Sequence, residues 1–328
     1  MAHGIRSERC GSVRILSMQA LLNAIETITP GGDARRIFHG RGGRYPGCEH
    51  WVLDAFPPVW VLTSFRNVEE SELTTIGEAL AAHWQRVASP TEPLNWVFQC
   101  RATGAIETRL MSGTIPQPHE VTESGLRYLV HLLKGQNHGL FLDMAEGRRW
   151  VHEHVELVRS TQGFRPKVLN LFSYTCAFSL VALDAGAEQV VNMDMSKGAL
   201  EVGRQNHKLN GLSSGALFFA HDIFNSWGKL TRGGPYDLVI VDPPSYQKGS
   251  FIATKDYARL MRRLPTLVAP GGHVLLCLNA PELGLEFLLE GMREHAPELT
   301  YVSRVANPPV FSDTDEDRSL KVLVFRQN

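Results

Sequence analysis

Tyr236-Asp237-Leu238-Val239-Ile240-Val241, running into Asp242-Pro243-Pro244-Ser245-Tyr246, is the stretch on which the fold turns. Its first six residues are almost wholly apolar, as a strand buried on both faces of a parallel sheet must be. Two consecutive prolines lack the N–H groups a ladder needs, so the strand stops and Asp242 is held in a rigid turn at the carboxyl edge of the sheet. Ligands of open α/β sheets bind at that edge. Asp242 is therefore the first candidate site residue, a carboxylate able to accept a hydrogen bond from a target amino group. Tyr246 is the second, a ring able to stack on a planar base, with Pro243 and Pro244 fixing both. The same residues also read as a purely structural turn.

Working outward, strands and helices alternate from about residue 144 to the end, which predicts βαβ units on a mostly parallel, doubly wound sheet. A strand at 167–172, containing Asn170 and Phe172, runs into Ser173-Tyr174-Thr175 and a helix at 176–185. Such a loop brings backbone N–H groups and the positive end of a helix to a ligand's polar tail. The next strand, 189–193, ends in Asp194-Met195. An acid there, 24 positions after Asn170, suits the hydroxyls of a ribose, although it also reads as a helix cap beside Ser196. A helix at 197–209 closes on Asn210-Gly211. The strand at 217–220 leads to Asp222-Ile223, where a carboxylate can take an amino group and Ile223 can pack on a ring; a solvated loop acid is the plainer reading. Residues 264–267 read as helix, Pro270-Gly271-Gly272 as a turn, and 273–278 and 320–325 as strands.

The N-terminal 140 residues read as a smaller α+β module. It has a helix at 20–28, a Gly/Arg-rich loop from Pro30 to Gly47, strands at 51–53, 59–65 and 96–100, and an amphipathic helix at 69–87. A hairpin is expected between 126–133 and 140–142. The expected domains are thus 1–140 and 141–328. Arg35, Arg36, Arg41 and Arg44 on the loop, with Arg148 and Arg149, suit nucleic-acid phosphates as well as plain solvation.

A net charge of −1 leaves any polyanion contact to such local patches. The five cysteines are odd in number and form no CxxC pair, so neither a disulfide framework nor a metal site is expected. No apolar run approaches the roughly 18 residues of a membrane span, no secretory leader is seen, and a cytoplasmic location is expected. A nicotinamide dehydrogenase fits poorly, because no GxGxxG follows the first strand of the sheet.

Together "NLFSYTCAF" from Asn170, "DMSKGALEVGRQNHKLNG" from Asp194, "DPPSY" from Asp242 and "GLFLDMAEGR" from Gly139 resemble the S-adenosylmethionine (SAM)-dependent ribosomal RNA large-subunit methyltransferases, a family with C5-cytosine and N7-guanine branches. The resemblance implies a class I, Rossmann-like domain, SAM as cofactor and RNA as partner. It implies a cofactor site of Asp143, Arg148, Asn170, Phe172, Ser173, Tyr174, Thr175, Asp194, Met195, Asp222, Ile223 and Asp242. Two departures stand out. Cys176-Ala177 replaces the glycine usual after Ser-Tyr-Thr, which points to tighter backbone approach and weaker cofactor binding. Asn279 stands where the C5 branch carries the thiol that must add to C6 of a pyrimidine, as an asparagine does in the N7-guanine branch, so a nitrogen target is expected. Cys277, one step deeper on the same strand face, reads as core. Methylation of a small molecule or protein, and noncatalytic binding of SAM or RNA, are the other functions these residues allow.

Overall fold

The apolar stretch forms the centre of the larger of two compact units in a computed structural model, which describes residues 18–102, 106–244, 246–247 and 251–328, with Tyr246 and Gln247 described for their backbone alone. The first unit spans Met1–Gly125, Val130–His138 and Pro309–Asp315; the second spans Leu126–Leu129, Gly139–Pro308 and Glu316–Asn328.

In the first unit, strands β1 (Arg35–His39), β2 (Trp51–Phe56), β3 (Val59–Ser64), β4 (Asn95–Cys100) and β5 (Glu107–Ser112) form one sheet in that order. Helix α1 (Glu70–Val87) joins β3 to β4, which run parallel. Leu73, Ile76, Leu80 and Trp84 recur at helical spacing on α1 and bury one apolar stripe against Leu53, Ala55, Trp60, Leu62, Trp96 and Phe98 of the sheet. The Gly/Arg-rich loop expected at 30–47 is thus corrected, because β1 lies inside it. Arg36 is tolerated in a strand because it sits opposite Asp54 in the β1–β2 register and pairs with it. The chain continues with strand β6 (His119–Glu123), in this unit, and β7 (Leu126–Val130), most of which belongs to the second. The expected hairpin partner at 140–142 is not a strand: Leu142–Met144 is a 3-10 turn leading into a helix.

The second unit continues with α2 (Ala145–Gln162), β8 (Lys167–Leu171), α3 (Ala177–Asp184), β9 (Gln189–Asp194), α4 (Lys197–Leu209), β10 (Ala216–Ala220), α5 (Trp227–Gly233) and β11 (Tyr236–Val241). Then come β12 (Tyr246–Gln247), β13 (Phe251–Ile252), α6 (Ala253–Met261), β14 (Val268–Leu278), α7 (Leu285–His295), β15 (Leu299–Arg304) and β16 (Lys321–Gln327). The sheet order is β10-β9-β8-β11-β14-β16-β15. The first five run parallel, and β16 is antiparallel to both its neighbours, so the fold is the class I, Rossmann-like α/β architecture expected. Leu169, Leu171, Val191, Met193, Val239 and Val241 bury one face of this sheet. The alternate residues Val168, Asn170, Val190, Asn192, Leu238 and Ile240 are buried on the other.

Three details differ from expectation. The helix at 264–267 is one 3-10 turn, with α6 just before it. Pro270-Gly271-Gly272 lies within β14 as a bulge, since the register jumps from Tyr236↔Val268 to Leu238↔His273; Gly271, with φ +75°, supplies the left-handed residue. The late strand is joined by β15, whose mostly exposed residues gave no apolar signal.

Candidate functional site

Strand register brings the candidate acids together. Val241 aligns with Leu171, Leu171 with Met193 and Met193 with Phe219, so the next row along the carboxyl edge holds Asp242, Phe172, Asp194 and Ala220. At the spacing of adjacent strands, a ligand reaching from β11 to β10 spans about 14 Å. Asp222 lies two residues past the end of β10.

Asp194 is pinned rather than free to cap. One carboxylate oxygen accepts from the Tyr174 N–H at 2.9 Å and the other from the Ser196 N–H at 2.7 Å, and Ser196 itself caps α4 by accepting from the Ala199 N–H at 3.1 Å. Each oxygen keeps a lone pair for a further donor.

The loop after β8 is built from unusual backbone. Phe172, Tyr174 and Cys176 have φ of 56°, 45° and 62°, the left-handed region that costs an L-residue about 1–2 kcal/mol. The Ser173 N–H donates to the Met193 carbonyl, the Thr175 hydroxyl to the Gly139 carbonyl at 2.6 Å, and the Asn206 amide to the Thr175 carbonyl at 3.2 Å. Strain held by so many fixed partners marks functional sites. Cys176 thus adopts the backbone that glycine would adopt more easily, and its buried sulfur is housed because Gly203 of α4 leaves room. A Cβ on Gly203 would meet Cys176 Sγ at 2.6 Å. We expect Gly203→Ala to lower stability by roughly 1–2 kcal/mol, overcrowding outweighing the helix propensity gained. In a Cys176→Ala background most of that cost should vanish in urea melts, since the clashing atom is gone; equal costs in both backgrounds would contradict the packing account.

Asn170 does not face this edge. Its amide donates to Asn192 Oδ1 at 2.9 Å; Asn192 donates to Ser179 Oγ at 3.0 Å, which lies 2.9 Å from His207 Nε2, while His207 Nδ1 is 2.7 Å from the Gly203 carbonyl. The carbonyl can only accept, so Nδ1 carries the proton and neutral His207 accepts from Ser179. Burial holds the imidazole below its ordinary pKa, in keeping with that tautomer. Asn170 therefore heads a buried relay that ties β8 and β9 to α3 and α4.

Asp222 caps the turn Ile223–Asn225, accepting from the Phe224 N–H at 2.9 Å and the Asn225 amide at 2.6 Å. It lines a crevice of about 350 Å³ with Met195, Phe224, Asn225, Phe251, Asp256 and Arg259. Phe224 and Phe251 are the rings on that crevice, whereas Ile223 is buried in the core. Phe224, Asp256 and Arg259 were missed in the sequence. Arg259 stacks 4.3 Å from the Phe224 centroid and pairs with Asp256, a tertiary meeting of α6 with the turn after β10 that local pattern does not signal.

Asp242 is half-buried, with Pro243 buried beneath it. Enough protein surrounds the carboxyl that desolvation, reinforced by the charge of Asp143 and opposed by Arg148, pushes its pKa up to about 7. Arg148 of α2 is itself buried and donates to the Phe141 carbonyl at 2.8 Å. Tyr257, fully buried, feels the charge of Asp242 and donates to the Cys277 carbonyl. Burial pushes the Cys277 thiol well above its ordinary pKa, which makes it a core residue. Asn279 is exposed just past β14. The Tyr246 side chain lies outside the described residues. Among the described residues no group of His, Cys, Asp or Glu is placed to hold a metal, and no helix is long and apolar enough to cross a membrane.

The chain is 32% identical over 233 residues to "Ribosomal RNA large subunit methyltransferase I" of Aeromonas salmonicida, covering 67% of this chain and 57% of that protein. It is 33% identical over 254 residues to the Salmonella arizonae protein of the same name, covering 75% and 59%. It therefore spans little more than half the length of these relatives. Its fold is similar to the SAM-dependent methyltransferase of Agrobacterium tumefaciens (TM-score 0.66, 20% identity, 92% of this chain and 93% of that one). It is also similar to the tRNA m1G37 methyltransferase of M. jannaschii (TM-score 0.59, 16% identity, 84% and 74%). Residues 35–326 match one family across nearly the whole chain, and the protein belongs to it: the S-adenosylmethionine-dependent methyltransferases.

Proposed function

We propose that this chain transfers a methyl group from SAM to a nitrogen of an RNA base, with large-subunit ribosomal RNA the substrate that the relatives' names favour. The observation that carries the reading is the row of Asp242, Phe172 and Asp194 along the carboxyl edge, with Asp242 at one end as a desolvated carboxyl whose pKa is pushed up to about 7. Such a group orients an amino or ring nitrogen and, where that nitrogen bears a hydrogen, takes up the proton released on methylation at neutral pH; N7 of a purine bears none and needs the orientation alone. SAM supplies a methyl already activated on a sulfonium, so the protein's task is alignment.

The donor set suits that cofactor. Asp194 retains acceptor capacity for a ribose, Asp222 and Phe224 offer an acid and a ring to a purine, and the strained loop from Phe172 to Thr175 presents backbone to an amino-acid tail. Met195 borders the same crevice, and Asp143 and Arg148 set the charge around Asp242. Pro243, Pro244 and Tyr246 follow it as the substrate-side turn. Asn279 in place of a thiol, with Cys48, Cys100, Cys176 and Cys277 all buried, favours nitrogen over C5 of a pyrimidine. We assign residues 141–328 to methyl transfer and residues 1–140 to substrate recognition.

Incubation with methyl-labelled SAM and separate ribosomal RNA, protein and metabolite fractions tests the reading; label in RNA is expected, and label confined to another fraction would overturn the substrate. The pH profile tests the residue. Because the ionised form of Asp242 is the proton acceptor, kcat/KM should rise with pH through a midpoint near 7, and a flat profile from pH 6 to 8.5 would remove Asp242 from that role.

A further inference from the structure

The Gly/Arg-rich segment contributes to a cluster that methyl transfer does not use. Arg36 Nε and Nη2 reach the two oxygens of buried Asp54 at 2.7 and 3.1 Å, and Nη1 lies 2.8 Å from His39 Nδ1. Arg36 also lies 4.4 Å from the Phe311 centroid. Arg41 stacks 4.1 Å from the Phe65 centroid, and Arg101 reaches the same ring at 5.7 Å. Arg101 further donates to Gln99 Oε1 and, at 2.6 Å, to the Gln136 carbonyl. Arg36 takes one acceptor position on each oxygen of Asp54, and among the described residues neither Arg41 nor Arg101 makes an ion pair with a carboxylate. Asp313 faces the cluster from the His39 side.

Arg41 is held below its ordinary pKa by desolvation and by Arg36, and Arg101 falls to about 10 through desolvation and the charges of Arg36 and Arg41, which outweigh the attraction of Asp54. Arg41 is exposed and Arg36 and Arg101 are half-buried, so an anion arriving from solvent can reach the cluster and offset its charge. The segment is also preorganised. A Cβ on Gly40 would meet the Cys48 carbonyl oxygen at 1.8 Å, and one on Gly42 the Ser312 carbonyl oxygen at 2.2 Å. These glycines seat the backbone on either side of Arg41 tightly, so less freedom remains to be lost when a ligand binds.

We infer that Arg41 and Arg101, sharing the Phe65 ring with Arg36 behind them, form a phosphate-binding site on the first unit. Planar guanidiniums suit a tetrahedral oxyanion through paired N–H donors. The phosphate belongs either to a polynucleotide backbone or to a free anion. The first source rests on the proposed RNA substrate; the second does not.

The test measures binding of a synthetic RNA hairpin at several salt concentrations, and of inorganic phosphate through the arginine Nε–H resonances. It compares the full chain, Arg41→Gln, Phe65→Leu and the control Arg204→Gln, an arginine stacked on Phe218 in the other unit. Arg41→Gln should weaken hairpin binding about 5- to 10-fold and reduce the slope of log K against log salt by about 1. Phe65→Leu should act in the same direction, and Arg204→Gln should change neither quantity. Hairpin binding unchanged while phosphate no longer shifts the Arg101 resonance in Arg41→Gln would assign the site to a free anion. Neither ligand depending on Arg41 or Phe65, in variants that melt like the parent, overturns the site. Label transfer to RNA is read separately, so loss of the methyl-transfer reading would not be mistaken for loss of this one.

Discussion

Asp242→Asn is expected to lower kcat about 1,000-fold while SAM affinity measured by calorimetry changes less than about threefold, the signature of a group that acts in the transition state. Asparagine keeps the size and hydrogen-bonding reach of the side chain but cannot take up a proton. The same variant carries a stability prediction whose sign follows from linkage. The folded-state pKa is raised to about 7, so the unfolded chain releases this proton at lower pH than the native protein does. The resulting cost to folding is absent below the ordinary carboxylate range, grows as pH rises toward 7 and is complete above it. Asp242→Asn removes that cost and should melt higher than the parent at pH 8, by an amount that shrinks as pH falls toward 4. Lower stability at pH 8 would mean that the carboxylate is satisfied by partners that offset its desolvation.

Asp194→Ala is expected to act on binding. The carboxylate accepts the N–H groups of Tyr174 and Ser196 and so joins the strained loop to the start of α4. Its removal orphans the part-buried Tyr174 N–H at roughly 1–3 kcal/mol, leaves the exposed Ser196 N–H to water, and frees three left-handed residues to relax. With the lost ribose contact, SAM affinity should fall at least about 100-fold, equivalent to ~2.7 kcal/mol, with only a modest loss of melting temperature if the rest of the loop network holds. Affinity within threefold of the parent would show that the ligand does not use this edge. Asp194→Asn, retaining one acceptor oxygen, should be intermediate.

The sequence announced its fold most clearly where one physical signal dominated. The apolar run from Tyr236 to Val241, cut by Pro243-Pro244, is a central strand, and Ser196 with Asn210-Gly211 bounds α4 at the residues the structure shows. Elsewhere tertiary partners overrode local pattern. Arg35–His39 reads as loop because its neutralising carboxylate, Asp54, lies on another strand. Pro309–Asp315 joins the first unit, a return of the chain that no local composition reveals. At the site, the row of Asp242 and Asp194 was legible because strand ends can be counted. The sidedness of residues was harder: Asn170 turns into the buried relay, Ile223 into the core, and Phe224 takes the crevice. The Cys176 departure was legible as a departure, but its accommodation by Gly203 depends on a helix contact.

The measurement that bears most directly on the account is a crystal structure of the chain grown with S-adenosylhomocysteine. The ligand is expected along the carboxyl edge of β8–β11, its ribose on Asp194, its purine toward Asp222 and Phe224, and its sulfur on the Asp242 side. Ligand density elsewhere on the chain, with Asp194 still held only by Tyr174 and Ser196, would contradict the account.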